Sequence, residues 1–163
     1  MSRRSIPLCL GFIILGTLVF LSAPSEADDS KETSLPSTTN SDVHVEIVED
    51  NMHEFMEYIF QPTYRRLKAS MASKPKDKKA WKPIKSDSLI LAESCNLLFV
   101  RTPEQDAKDW VKHSIASRDA GSELYHAAQA KQFDVAKTAW TKMLDNCNAC
   151  HRQFEDGKHI LAP

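Results

Sequence analysis

From Val45 onward, apolar residues recur every three or four positions. Val45, Val48, Met52, Phe55, Met56 and Ile59 fall on one helical stripe, and Leu67 and Met71 extend it. Pro62 lies inside this run; it removes one backbone donor and is expected to kink or loosen the helix locally. A second segment, about 83–101, carries Ile84, Leu89, Ile90, Leu91, Leu97, Leu98, Phe99 and Val100. Thr102-Pro103-Glu104-Gln105 then has the form of a new start, with Thr102 as N-cap, Pro103 in the first helical position and Gln105 three residues after the cap. This third helix should run to about Lys131. Asp134 is the expected N-cap of a fourth, which continues past His151 to about Asp156 and stops at Gly157. No stretch alternates convincingly with period two. Short connections force neighbouring helices to run antiparallel, so the expected fold is all-α, an up-down-up-down antiparallel four-helix bundle over residues 43–163.

The chain before residue 43 reads differently. Arg3 and Arg4 precede an apolar run, 6–21, whose sole ionisable side chain is Cys9, and Ser25-Glu26-Ala27 places small residues where a signal peptidase cuts. Residues 1–27 are therefore expected to be a signal peptide of the general secretory type, cleaved near Ala27, with the mature protein in the periplasm. The competing reading is a retained anchor, because the run approaches the length of a spanning helix. Residues 28–42 are rich in Ser, Thr, Asp, Glu and Lys with a single Leu. They have too little apolar surface to offset the entropy of ordering, and read as a flexible linker.

Charge narrows the function classes. Lys and Arg total 21 and Asp and Glu 22 in 163 residues, so no basic excess points to nucleic acid. Four cysteines occur, and removal of Cys9 with the leader leaves Cys95, Cys147 and Cys150. An odd number in an exported chain does not fit a disulfide framework. Cys95 sits on an apolar stripe and reads as a small buried hydrophobe.

Cys147-Asn148-Ala149-Cys150-His151 accounts for the other two. Two thiols two residues apart, followed at once by a histidine, form the attachment motif of c-type haem. The sulfurs of Cys147 and Cys150 add to the two vinyl groups, and His151 reaches the iron as an axial ligand. Positions 133, 136, 140, 143, 144, 147, 150, 151 and 154 share one helical stripe, which turns the motif toward the bundle interior. Trp140, on that stripe, could pack on the porphyrin or simply fill the core. Two other chemistries use similar residues. A thioredoxin-like redox pair needs a βαβ context and cysteines at a helix N-terminus. A zinc site could draw on Cys147, Cys150, His151 and His159, but there is no second thiol pair of the usual spacing. No catalytic triad, phosphate loop or second metal cluster is apparent, and the protein is not expected to be an enzyme. One covalent haem c is the expected cofactor, and redox proteins the expected partners.

The other side of the iron falls to the first helix. In an antiparallel bundle its start and the end of the fourth helix share one end. Met52, about nine residues into the predicted helix, should then stand level with His151. Met56 lies about 40° from Met52 on the helical wheel, and His53 about 100° away. Met52 is the expected distal ligand, with Met56 as the alternative and an open site as the third; methionines on such a stripe are also ordinary core filling. His44, His113 and His126 have neighbours typical of helix surfaces and receive no ligand role.

These residues resemble the class II c-type cytochromes, the cytochrome c-prime family, whose members are periplasmic four-helix bundles with the attachment motif near the C-terminus. The similarity covers about 43–156. It is carried most specifically by Cys147-Asn148-Ala149-Cys150-His151 followed by Phe154, and by the helix start at Asp134. Glu49-Asp50-Asn51-Met52 is similar to the start of the related b-type four-helix cytochrome, whose methionine there binds iron; the resemblance carries that role onto Met52. Many members have a basic residue directly after the phenylalanine, where this chain has Glu155. The family divides into high-spin proteins that bind nitric oxide or carbon monoxide and low-spin proteins with a methionine ligand. Met52 aligns the chain with the second group, which implies one-electron transfer. Members are often dimers through their first two helices, so the resemblance raises a homodimer without deciding it.

Overall fold

A computed structural model describes residues 45–163, and every regular element among them is helical. The expected leader 1–27, the linker 28–42 and His44 lie outside the described residues. The first rod is built from three consecutive pieces: α1 (Met52–Phe55), a π-helical turn (Met56–Phe60) and α2 (Gln61–Met71). There follow α3 (Lys78–Asn96), a short 3₁₀ turn (Phe99–Arg101), α4 (Ala107–Gln129) and α5 (Phe133–Phe154). α3 packs on α2 and α4, and α4 packs on α5, in the manner of a bundle.

Several boundaries differ from the sequence expectation, each for a local reason. The first rod begins at Met52, not near Val45. Asn51 Oδ1 accepts from the His53 and Glu54 amides at 2.9 and 3.4 Å, a side-chain cap, while Val48 stands fully in solvent at 99% exposure. Met52 is thus the first residue of its helix and not about nine residues in. Pro62 does loosen the rod: in the π turn just before it, the Gln61 amide reaches back five residues to the Met56 carbonyl. The extra residue rotates the stripe, so Phe60 turns inward and Ile59 outward.

α3 starts at Lys78 on an Asp77 cap, whose Oδ1 accepts from the Ala80 amide at 2.8 Å, and Pro83 is carried inside its second turn. Thr102 caps nothing ahead of it. Its hydroxyl donates to the Phe99 carbonyl at 2.8 Å and closes the preceding turn, and α4 begins only at Ala107 after Asp106 in a left-handed conformation. α5 begins at Phe133 with Gln132 in the cap position, two residues earlier than an Asp134 cap would give.

The core divides into two clusters. One joins Leu67 and Met71 of α2, Trp81, Ile84 and Leu91 of α3, Leu124 and Ala128 of α4, and Ala136, Trp140 and Met143 of α5. The other joins Phe55, Cys95, Leu98 and Trp110, with Met52, Met56, Phe60, Cys150 and Phe154 packed against them. Cys95 is buried, as expected for a small apolar side chain. Leu89, Ile90, Leu97 and Val100, apolar in sequence, are more than a third exposed. Polar Asp87, Ser88 and Ser94 occupy buried positions instead.

Asp87 is buried because Arg66 reaches it from α2. Nη2 lies 2.8 Å and Nε 3.1 Å from Oδ1, and the same Nη2 also bonds the Thr63 hydroxyl at 3.2 Å. This bond to the carboxylate raises the Arg66 guanidinium above its ordinary value. Removing the cation would leave a carboxylate at 4% exposure without its partner. Arg66→Ala is expected to cost about 2 kcal/mol in urea unfolding, and Arg66→Lys, which loses the fork, somewhat less. Equal stability of Arg66→Ala and the parent chain would refute the pairing.

Candidate haem-binding cavity

The seam between the first rod and α5 is not closed by helix-to-helix packing. It opens into a cavity of about 340 Å³, within the size range of cofactor sites. Its wall on the first rod carries Met52, Met56, Phe60 and Tyr64. Its wall on α5 carries Trp140, Met143, Leu144, Cys147, Cys150, His151 and Phe154. Leu91 and Cys95 of α3, with Leu98 just beyond it, form one side, and Trp110, Ser114 and Ser117 the α4 side. All four residues expected to hold the group, Cys147, Cys150, His151 and Met52, therefore line one space, together with the alternative Met56.

The lining is largely apolar and its aromatic rings are fixed. Trp110 donates its indole proton to the Leu98 carbonyl at 2.8 Å and meets Phe154 edge-on, with centroids 5.1 Å apart. Tyr64 stacks on Trp140 at 5.9 Å. His53 stands at the mouth, exposed, its ring 6.1 Å from that of His159. His113 is also part of the lining, where its Nε2 pairs with Gln153 Oε1 at 3.0 Å. From its neighbours in sequence, which include Lys112 and Ser114, a helix surface is expected. His126 does lie in solvent.

Cys147 and Cys150 are free thiols. Burial pushes both up to about 11; at Cys147 the Ser117 hydroxyl, 3.9 Å from Sγ, opposes this in part. This upward shift is the reverse of what a dithiol redox centre requires. Zinc would need the same thiols deprotonated, and no three Cys, His, Asp or Glu side chains among the described residues converge as a metal-binding group.

His151 is half-buried, and desolvation lowers its imidazole below the ordinary value, against an opposing hydrogen bond from the chain. That bond joins Nδ1 to the His159 carbonyl oxygen at 3.0 Å. A carbonyl can only accept, so Nδ1 carries the proton and Nε2 is left with its lone pair. A neutral imidazole with one nitrogen tied to a carbonyl is the usual form of a metal-ligating histidine.

These features fit a covalently held haem. Two thiols able to add to vinyl groups, and one neutral imidazole and two thioethers able to ligate iron, line a cavity with apolar and aromatic walls. No family model matches the chain, and no curated protein or solved structure matches it either.

The segment after α5 was missed by sequence reasoning. Residues 158–162 fold back over the cavity, where His159, Ile160 and Leu161 add to its lining. They have no periodicity to mark them as structured.

Proposed function

We propose that the chain is an exported c-type cytochrome of class II that carries single electrons between redox proteins. The observation that carries this reading is the meeting of Cys147, Cys150, His151, Met52 and Met56 around one apolar cavity. Cys147 and Cys150 would hold a haem through thioethers, and His151 and Met52 would be the residues that bind its iron. When bound, the haem supplies an iron that gains and loses one electron. Phe60, Trp110, Trp140 and Phe154 give the cavity the apolar, aromatic lining that a flat macrocycle would pack against. Exposed His53, Glu57 and Arg65 line the same cavity and would offer polar contacts to a docked redox partner.

The finer topology belongs to the same reading. One core cluster unites the start of the first rod, the end of α3, the start of α4 and the end of α5. The other unites the opposite ends of the same segments. Alternation of this kind is what an up-down-up-down antiparallel bundle produces. No helix among the described residues is long and apolar enough to cross a membrane. Export to the periplasm rests on the sequence pattern of residues 1–27 alone.

The deciding measurement is the visible spectrum of the dithionite-reduced protein before and after carbon monoxide. Sharp low-spin bands that carbon monoxide barely disturbs are expected. A high-spin spectrum that shifts at once would instead make this an open-site, gas-binding cytochrome. Absence of a Soret band in protein from haem-attaching cells would remove the cytochrome reading altogether.

A further inference from the structure

Beyond α5 the backbone turns sharply. Asp156, Gly157 and His159 hold φ of 51°, 72° and 58°, and the Gly157 amide closes the helix on the His151 carbonyl at 3.0 Å. A left-handed conformation at residues other than glycine persists only where surrounding bonds over-determine it. Here they do. The Leu161 amide donates to Asn148 Oδ1 at 2.7 Å, and Asn148 Nδ2 donates to the Leu161 carbonyl at 2.9 Å. The Ala162 carbonyl accepts from the Tyr64 hydroxyl at 2.7 Å and from Lys68 Nζ at 2.9 Å, and the Ala162 amide donates back to Tyr64 at 3.2 Å. The tail is thus buckled to α5 and α2 at once, across the seam that the helices leave open.

Asn148 explains why the buckle matters. It is a spacer between the two attachment cysteines, yet it is 5% exposed, and both ends of its amide bond the tail. Two residues before Leu161 in the same tail lies the His159 carbonyl that accepts from His151 Nδ1. One side of the motif fixes the strap, and the strap fixes the motif's histidine.

We propose that residues 158–162 are a positioning strap for the axial imidazole, held in register by Asn148 and Tyr64. Through the His159 carbonyl it keeps the His151 proton on Nδ1 and so leaves the Nε2 lone pair free for an iron. This inference rests on the haem reading of the site and extends it. A carbonyl acceptor on Nδ1–H makes the imidazole a more basic ligand. A more basic ligand favours the more highly charged ferric iron, so the strap lowers the reduction potential.

The test compares the full chain with one ending after Gly157 and with Asn148→Ala, both produced in haem-attaching cells. Asn148→Ala removes the clasp and leaves the tail in place; the truncation removes the acceptor itself. The reduction potential is expected to rise in both, further in the truncated chain, with haem still attached. Amide exchange at Leu161, protected in the parent by Asn148 Oδ1, should become fast in Asn148→Ala. A strap that only stabilises the fold would lower the melting temperature of both variants and leave the potential where it was; that result overturns the proposal. Should the parent chain hold no covalent haem, the cytochrome reading fails and the strap's role on the iron falls with it. Leu161 protection would then still report whether the clasp forms.

Discussion

A chain carrying Cys147→Ala together with Cys150→Ala is expected to leave haem-attaching cells with no haem that resists acid–acetone extraction, where the parent keeps nearly all of it. Axial bonds do not survive that treatment; thioethers do. The two sulfurs are well placed for the role. They lie one helical turn apart on the same side of α5 and line the cavity beside His151. Neither is drawn into a disulfide. Desolvation in the cavity pushes both thiols up to about 11. The same double variant should still fold as a helical protein, because Cys147 and Cys150 are only partly buried and the larger cluster around Leu67, Leu124 and Trp140 does not depend on them. Far-UV circular dichroism like that of the parent, with the covalent haem gone, is the expected pair of observations. Acid–acetone-resistant haem in the double variant would refute the attachment assignment.

How far the sequence could be read depended on whether one helical period governed a segment. α5 obeys it from end to end: Ala136, Trp140, Met143 and Leu144 are buried, and Cys147, Cys150, His151 and Phe154 continue the stripe into the cavity. The first rod does not. Val45 and Val48 keep the period by coincidence, but Asn51 offers its side chain to the next two amides and the helix starts there. Beyond it the π turn before Pro62 inserts a residue into the phase, which a fixed 100° step misses and which exchanges Ile59 for Phe60. Met52 reached the cavity wall all the same, because the start of the rod and the end of α5 share a core cluster. α3 misled for another reason. Its buried positions include Asp87 and Ser88, which satisfy their polar atoms through Arg66 and the Ile84 carbonyl and so belong in the core despite their type. The strap was illegible because polar bonds to Asn148 and Tyr64, from far away in sequence, hold it.

Met52→Ala is expected to turn a six-coordinate low-spin iron into a five-coordinate one that binds carbon monoxide at once, while Met56→Ala keeps the low-spin spectrum. Both thioethers line the cavity and both are half-buried, so burial does not separate them. Their backbones do. Met52 opens α1 directly after the Asn51 cap, and its carbonyl accepts from the Met56 amide, so its position is set by a side-chain bond and a helical one. Met56 opens the π turn, where the helical register is already shifting. A ligand must return to the same place in both oxidation states, and the capped end is the better-fixed of the two. Loss of the thioether should also raise the affinity for the ferric state and lower the reduction potential, since a thioether favours reduced iron. Asn51→Ala provides a milder version of the same test. It removes the cap at a cost of about 1 kcal/mol and, if Met52 is the ligand, should produce a temperature-dependent mixture of low-spin and high-spin iron as the first turn frays. An unchanged low-spin spectrum in Met52→Ala, with high-spin iron in Met56→Ala, would move the bond to Met56. Carbon monoxide binding by the parent chain as readily as by Met52→Ala would leave neither sulfur on the iron.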